Sequence, residues 1–174
     1  MSDTVSTAVK ETESKIQGGK FLTFFLGKEE YAIEILKVQE IIGLMPITPV
    51  PSMPMYIRGV LNLRGKIIPV MDLRSRFGFE AVEDTEETCI IVVQESRFRM
   101  GVVVDKVSEV ADIDGAQIEE VPSFGANVSD DYLSGIGKVG ESVKLLLDVS
   151  KVLFDFREVM EEQGEGGIDD PDAF

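Results

Sequence analysis

The 174-residue chain contains no histidine and no tryptophan, and its only cysteine is Cys89. Without histidine, the chain cannot build a Ser-His or Cys-His nucleophile or a histidine metal site. A single cysteine forms neither an internal disulfide nor a thiolate metal cluster, and we expect Cys89 to pack as a small apolar side chain. Catalysis by carboxylate, lysine or serine groups alone stays open, but no such constellation is visible. We therefore expect a protein that is not an enzyme and has no cofactor or metal.

Long apolar runs are also missing. No stretch approaches the roughly 20 apolar residues that a membrane helix needs, and the first 20 residues lack the apolar segment of a signal peptide. Apolar residues nevertheless make up 44% of the chain, which is enough to build a core. We expect a folded cytoplasmic protein that does not insert into membranes.

Positive charge is scarce, with 17 Lys and Arg residues against 32 Asp and Glu residues and a net charge of −15. Residues 158–174 hold seven acids and no base, and we predict that they form a flexible acidic tail. We predict a second flexible tail at 1–17, which leaves 18–157 as the folded domain. An acidic field of this kind argues against general binding to nucleic acids or anionic membranes.

One basic stretch, NLRGKIIPVMDLRSRFG at 62–78, contrasts with this acidity. Gly65 can adopt a positive φ, so the stretch predicts a tight turn that holds Arg64 at a hairpin tip. We expect Asn62 to hydrogen-bond the turn backbone and Asp72 to cap a short helix. Pro69 indicates an edge strand or a bulge. The basic run from 58 to 76 leaves three interpretations open: a nucleic-acid site on a small β-barrel, a protein-binding site, or charge that maintains solubility.

The chain contains an internal repeat. A shift of 69 aligns residues 31–41 with 100–110, and a shift of 76 aligns 59–77 with 135–153. Two matches in the same order indicate a duplicated unit of hairpin, connector and second hairpin. We predict two small, similar β-barrels, with copies at approximately 21–79 and 88–153 and with strand exchange between them possible.

Two further patterns complete this prediction. Apolar residues spaced three and four apart near the end of the second copy predict a helix at roughly 149–162. The sequence GIGKVG at 135–140 matches a dinucleotide-binding pattern, but a strand-like segment follows it where that motif requires a helix. The glycines therefore favour a hairpin and not a phosphate site.

Four segments resemble the CheW-like domain family of bacterial chemotaxis coupling proteins. The most specific is YIRGVLNLRGKIIPVMDLRSRFG at 56–78, and the others lie at 21–42, 101–110 and 132–153, in the family's order across about 18–157. The resemblance implies a mainly β fold of two SH3-like five-stranded β-barrel subdomains. These pack on a shared hydrophobic interface, with short helices and a C-terminal helix.

The same resemblance implies a function. The family consists of non-catalytic adaptors that link the cytoplasmic tips of chemoreceptors, the methyl-accepting chemotaxis proteins, to the regulatory domain of the histidine kinase CheA. We accordingly expect a cytoplasmic protein that is recruited to membrane-associated receptor arrays and is a monomer when isolated.

The resemblance also assigns site residues. The implied receptor-binding residues are Val38, Glu40, Ile41, Gly59 and Arg64. Phe124 is the implied kinase-binding residue. Copy two has Val139 and Gly140 at the positions of Leu63 and Arg64, so we expect only copy one to bind a receptor. Lys66, Arg74 and Arg76 are predicted to be solvated surface charge.

Overall fold

The computed structural model describes residues 17–121 and 132–153. Phe124 and the segment 158–174 lie outside the described residues, as do residues 1–16. Residues 149–153 are helical, and the rest of the helix predicted at 149–162 lies outside the described residues.

The described chain is mainly β, as predicted, and its strands form a six-stranded and a five-stranded sheet. The first half of the chain contains β1 (Gly19–Leu26), β2 (Glu29–Glu34), β3 (Val38–Gly43), β4 (Ile57–Leu63) and β5 (Lys66–Asp72). The second half contains β6 (Cys89–Glu95), β7 (Phe98–Val104), β8 (Lys106–Ile113), β9 (Ile118–Glu119), β10 (Leu133–Val139) and β11 (Ser142–Leu147). A short α-helix, Leu73–Arg76, follows β5, and 3-10 turns occur at Ile35–Lys37 and Gly115–Gln117.

The two sheets exchange hairpins between the two sequence copies. The six-stranded sheet has the order β8-β1-β2-β11-β10-β9, and the five-stranded sheet has the order β3-β6-β7-β5-β4. A shift of 69 relates β3, β6 and β7 to β8, β1 and β2, and a shift of 76 relates β5 and β4 to β11 and β10. The second order therefore reproduces the first, apart from the short edge strand β9. Each barrel therefore takes its first hairpin from one copy and its remaining strands from the other.

Burial follows from the sequence pattern of each strand. Alternate residues of β4 are buried, as expected for a strand with one face on the core. The last five residues of β7 and four consecutive residues of β6 are all buried, because these apolar runs lie between one barrel interior and the interface with the other barrel.

The shared interface between the barrels is the largest apolar cluster, and it draws on both sheets and both copies. A row of aromatic rings lies within it. The ring centroid of Tyr31 is 5.9 Å from that of Phe24 and 5.7 Å from that of Phe77, and the Phe77 centroid is 5.8 Å from that of Tyr132. Burial, with a smaller contribution from the charge of Glu29, raises the pKa of Tyr31 to about 12. Two smaller clusters fill the interiors of the individual barrels.

The prediction that Pro69 marks an edge strand is wrong, whereas the alternative of a bulge is met close by, in β4 between Ile57 and Gly59. Strand β5 lies inside its sheet, between β7 and β4, and Pro69 pairs in regular register with Val60. The ladder between β5 and β7 begins at Val70, one residue after the proline. An interior strand tolerates Pro69 because the residue stands just before the segment that is paired on that side.

Candidate protein-binding site

The turn between β4 and β5 places Arg64 at the tip of a hairpin. Arg64 and Gly65 have φ values of 53° and 87°, the left-handed pair typical of a type I′ turn. The side-chain oxygen of Asn62 accepts a hydrogen bond from the Gly65 N–H at 2.7 Å. Gly140 holds the equivalent position in the second copy with a φ of 62°. Arginine is unfavourable in this conformation, so the side chain must contribute something that glycine cannot.

Arg64 forms a two-pronged ion pair with Glu40 on β3. Its guanidinium nitrogens lie 2.7 and 2.5 Å from the two carboxylate oxygens. The hydrogen bonds from Arg64 lower the pKa of Glu40, against the smaller opposing effect of burial. The Arg64 side chain is 69% exposed and that of Glu40 is 25% exposed. The pair therefore offers a partner a guanidinium held in a fixed position.

The ion pair also connects the two edges of the five-stranded sheet, since β3 and β4 are its outermost strands. Ile41, next to Glu40 on β3, is 45% exposed. Val38, at the start of the same strand, is half-buried against the central cluster. The structure thus brings Glu40 and Arg64 together, exposes Ile41 on the same strand and leaves Val38 partly buried.

Gly59 lies on β4 against the proline-rich connector. It is buried, has a φ of 145°, and a Cβ atom on it would lie 2.1 Å from the carbonyl oxygen of Thr48. Two backbone hydrogen bonds, of 2.8 and 2.9 Å, join Thr48 to Val60. The close approach that Gly59 permits is made by the proline-rich connector of this chain.

The remaining arginines of the basic run are engaged by the chain itself. Arg58 forms ion pairs with Asp72 at 2.9 Å and with Asp84 at 3.0 Å. Asp72 also accepts hydrogen bonds from the first backbone N–H groups of the Leu73–Arg76 helix, so its predicted role as a helix cap is confirmed. Arg74 pairs with Asp105 at 2.7 Å, and its side chain is only 15% exposed.

Arg76 connects the two copies. Its guanidinium lies 4.5 Å from the ring centroid of Tyr56 and 4.7 Å from that of Tyr132, within the range of a cation–π contact. The prediction that Arg74 and Arg76 are solvated charge is wrong, because both guanidinium groups are bound within the chain. Arg74 pairs with Asp105, and Arg76 packs on the two tyrosine rings. The repeat contained a signal for this Arg76 contact, since Tyr56 and Tyr132 are equivalent at a shift of 76.

These contacts weigh against a nucleic-acid surface. Phosphate binding requires cations that are available to the phosphate, whereas Arg58, Arg64 and Arg74 are all paired with carboxylates of the same chain. Lys66 is exposed at the hairpin, but one lysine does not make a binding track. The protein-binding interpretation is the one that the geometry favours.

The Arg74–Asp105 pair predicts an acid-sensitive contribution to stability. Burial opposes ionisation of Asp105, but hydrogen bonds from Arg74 and from the Gly27 N–H outweigh it and lower the pKa of Asp105. A lowered carboxyl pKa contributes stability that is fully present above the unfolded value of about 3.9 and is lost as the pH falls through the folded value.

We expect Asp105→Asn to lower the free energy of unfolding at pH 7 by about 2 kcal/mol, since it weakens a charge-assisted hydrogen-bonded pair. The difference from the unsubstituted protein should shrink below about pH 4, as urea unfolding across pH 2.5–7 would show. Asp112→Asn removes a carboxylate from a pair whose side chains are 61% and 77% exposed, and it serves as the control. A difference between Asp105→Asn and the unsubstituted protein that is independent of pH would contradict the assignment.

Within residues 17–121 and 132–153, no group of three or more metal-ligating side chains is close enough to hold a metal ion. Over the same residues, no helix has both the length and the apolar character required to cross a membrane.

Comparison with known proteins identifies the fold family. The model of the CheW-like domain matches residues 20–156. The chemotaxis protein CheW of Klebsiella aerogenes is 43% identical over 150 residues, which cover 86% of this chain and 88% of that protein. The chemotaxis protein CheW of Bacillus subtilis is 33% identical over 136 residues, which cover 78% of this chain and 87% of that protein.

A solved structure agrees with these matches. The crystal structure of the scaffolding protein TtCheW from Thermoanaerobacter tengcongensis superposes with a TM-score of 0.71 at 34% identity, and the match covers 76% of this chain and 90% of that one. The family model spans the exchanged barrels and the Glu40–Arg64 surface alike. The chain therefore belongs to the CheW-like domain family.

Proposed function

We propose that this chain is a non-catalytic chemotaxis adaptor that couples chemoreceptors to the histidine kinase CheA in cytoplasmic, membrane-associated arrays. Family membership supports a role in chemotaxis, and the scaffolding role of TtCheW supports an adaptor. The observation that carries the receptor half of the proposal is the Glu40–Arg64 pair with its exposed guanidinium, together with the exposed Ile41 on the same strand as Glu40.

The chemistry of this surface fits a helical receptor tip. Such a tip offers apolar side chains along one face and carboxylate or amide groups beside them. Ile41 supplies an exposed apolar contact, and the forked guanidinium of Arg64 matches a carboxylate or an amide oxygen. Val38 and Glu40 border the contact, and Gly59 contributes by allowing the connector to pack closely on β4.

The second copy lacks the cation. Gly140 occupies the turn position of Arg64, while Glu109, the counterpart of Glu40, is exposed on β8. This asymmetry favours a single receptor site per chain. It also leaves the second barrel available for the kinase, for which the similarity suggests contacts through apolar barrel ends and Phe124.

The kinase half of the proposal is tested by size-exclusion chromatography of the chain with the regulatory domain of CheA. We expect the two to co-migrate at micromolar concentrations as a one-to-one complex, and the chain alone to elute as a monomer. Separate elution at these concentrations would contradict kinase coupling. A receptor-tip fragment, mixed separately with the chain, tests the other half without the kinase.

A further inference from the structure

Strand exchange raises a specificity problem because the two copies are similar. Each first hairpin has two equivalent docking places, one beside its own copy and one beside the other copy. In the structure, β2 pairs with β11 and β7 pairs with β5, both in parallel. An unexchanged chain would instead pair β2 with β5 and β7 with β11, with the same strand directions and the same element order.

A buried ion pair lies at the exchanged contact between β2 and β11. Glu30 is the direct register partner of Lys144, and the Lys144 ammonium lies 2.7 Å from the Glu30 carboxylate. Their side chains are 4% exposed for Lys144 and 13% exposed for Glu30. Burying either charge without the other would be strongly unfavourable.

The equivalent place in the five-stranded sheet has no such pair. A shift of 76 takes Lys144 to Ile68, and a shift of 69 takes Glu30 to Arg99. Ile68 and Arg99 stand two residues before Val70 and Gly101, the first pair of the β5–β7 ladder, at the positions that Lys144 and Glu30 hold in the other sheet. Unexchanged pairing would therefore set the Glu30 carboxylate against Ile68, and it would set Lys144 against the like charge of Arg99.

We propose that the Glu30–Lys144 ion pair is the determinant that directs the β1–β2 hairpin to the second copy and so selects the strand-exchanged fold. In the exchanged fold each charge meets its opposite, whereas unexchanged pairing sets Glu30 against an apolar side chain and Lys144 against a cation. Lys144 is one of the three buried polar or charged side chains of the described residues. A buried ion pair is suited to this role because the wrong pairing leaves both charges without a partner.

The test makes the two copies alike at these positions. The variant Glu30→Arg/Lys144→Ile gives both docking places the residues that the five-stranded sheet has at this register. After refolding from denaturant, NMR contacts between Ala32 and Leu146 report exchanged pairing, and contacts between Ala32 and Val70 report unexchanged pairing. We expect the yield of the exchanged form to fall at least twofold, with Ala32–Val70 contacts in the remainder. Refolding only to the exchanged form would overturn the proposal.

The matched control is Glu119→Arg/Lys138→Ile, which makes the same substitutions in an ion pair between neighbouring strands of the six-stranded sheet whose side chains are both 58% exposed. We expect this control to refold to the exchanged form as fully as the unsubstituted chain. A loss of exchanged form as large as that of the Glu30→Arg/Lys144→Ile variant would overturn the assignment to the buried pair.

A second variant keeps the test decisive if the Glu30→Arg/Lys144→Ile variant does not fold. Arg99→Glu leaves Glu30 and Lys144 untouched, but it turns the Arg99–Lys144 repulsion of the unexchanged form into attraction. We expect it to slow refolding to the exchanged form at least threefold relative to Arg97→Glu, an equal change of charge at an exposed position two residues away. Equal refolding rates would overturn the proposal.

Discussion

Replacing Arg64 by glutamate is expected to weaken binding of a receptor-tip fragment at least about thirtyfold, because truncation of a charged anchor at an interface commonly has an effect of this size. The Glu40 carboxylate now lies 2.5 Å from a guanidinium nitrogen of Arg64. The substitution removes this forked donor and places a second carboxylate beside Glu40. It also leaves a bulky residue in a left-handed turn position without the ion pair that holds it there. Isothermal titration calorimetry with the fragment measures the loss.

Lys66→Glu is the matched control for this experiment, since it makes the same charge change on the same hairpin at an exposed residue. We expect the control to alter receptor binding by no more than about threefold at physiological salt, as is typical for a charge at the rim of an interface. Binding of the CheA regulatory domain should persist in both variants, which separates loss of the site from loss of the fold. Unchanged receptor binding by Arg64→Glu would remove Arg64 from the proposed site.

The sequence predicted the parts of this structure that depend on local chemistry. Gly65 and Asn62 specified the turn, and Asp72 specified the helix cap, because each acts on backbone groups within three residues of itself. The repeat predicted paired hairpins, since the same spacing of apolar residues recurs with the same turns. The position of Arg64 at a hairpin tip followed from these local rules.

The parts that depend on distant residues could not be predicted in the same way. Asp105 is 31 positions from Arg74, and nothing local marks the two as partners, so Arg74 was predicted to be solvated. Pro69 predicts either an edge or a bulge, because a local rule does not reveal where the neighbouring ladder begins. Strand exchange depends on a contact between Glu30 and Lys144, far apart in the chain, whose burial only the assembled sheets reveal.

Gly59→Ala is expected to destabilise the fold by about 3 kcal/mol or more, because it combines a disfavoured backbone conformation with a steric clash. The φ of 145° favours glycine, and the added Cβ would lie 2.1 Å from the Thr48 oxygen and 2.7 Å from its carbonyl carbon. These are backbone atoms of the connector, which two hydrogen bonds join to Val60. Moving either atom away from the new Cβ would therefore strain or break those bonds. Urea unfolding followed by circular dichroism measures the loss.

Gly43→Ala on β3 provides the comparison, since a Cβ there meets no atom within 4 Å, and we expect it to change stability by less than about 1 kcal/mol. The pair of variants distinguishes two roles for Gly59. If Gly59 contacted the receptor directly, alanine would weaken receptor binding and leave unfolding unchanged. Because the glycine lies under Thr48 and not on the surface, we expect the opposite order: a large loss of stability, with receptor affinity near normal in the fraction that remains folded.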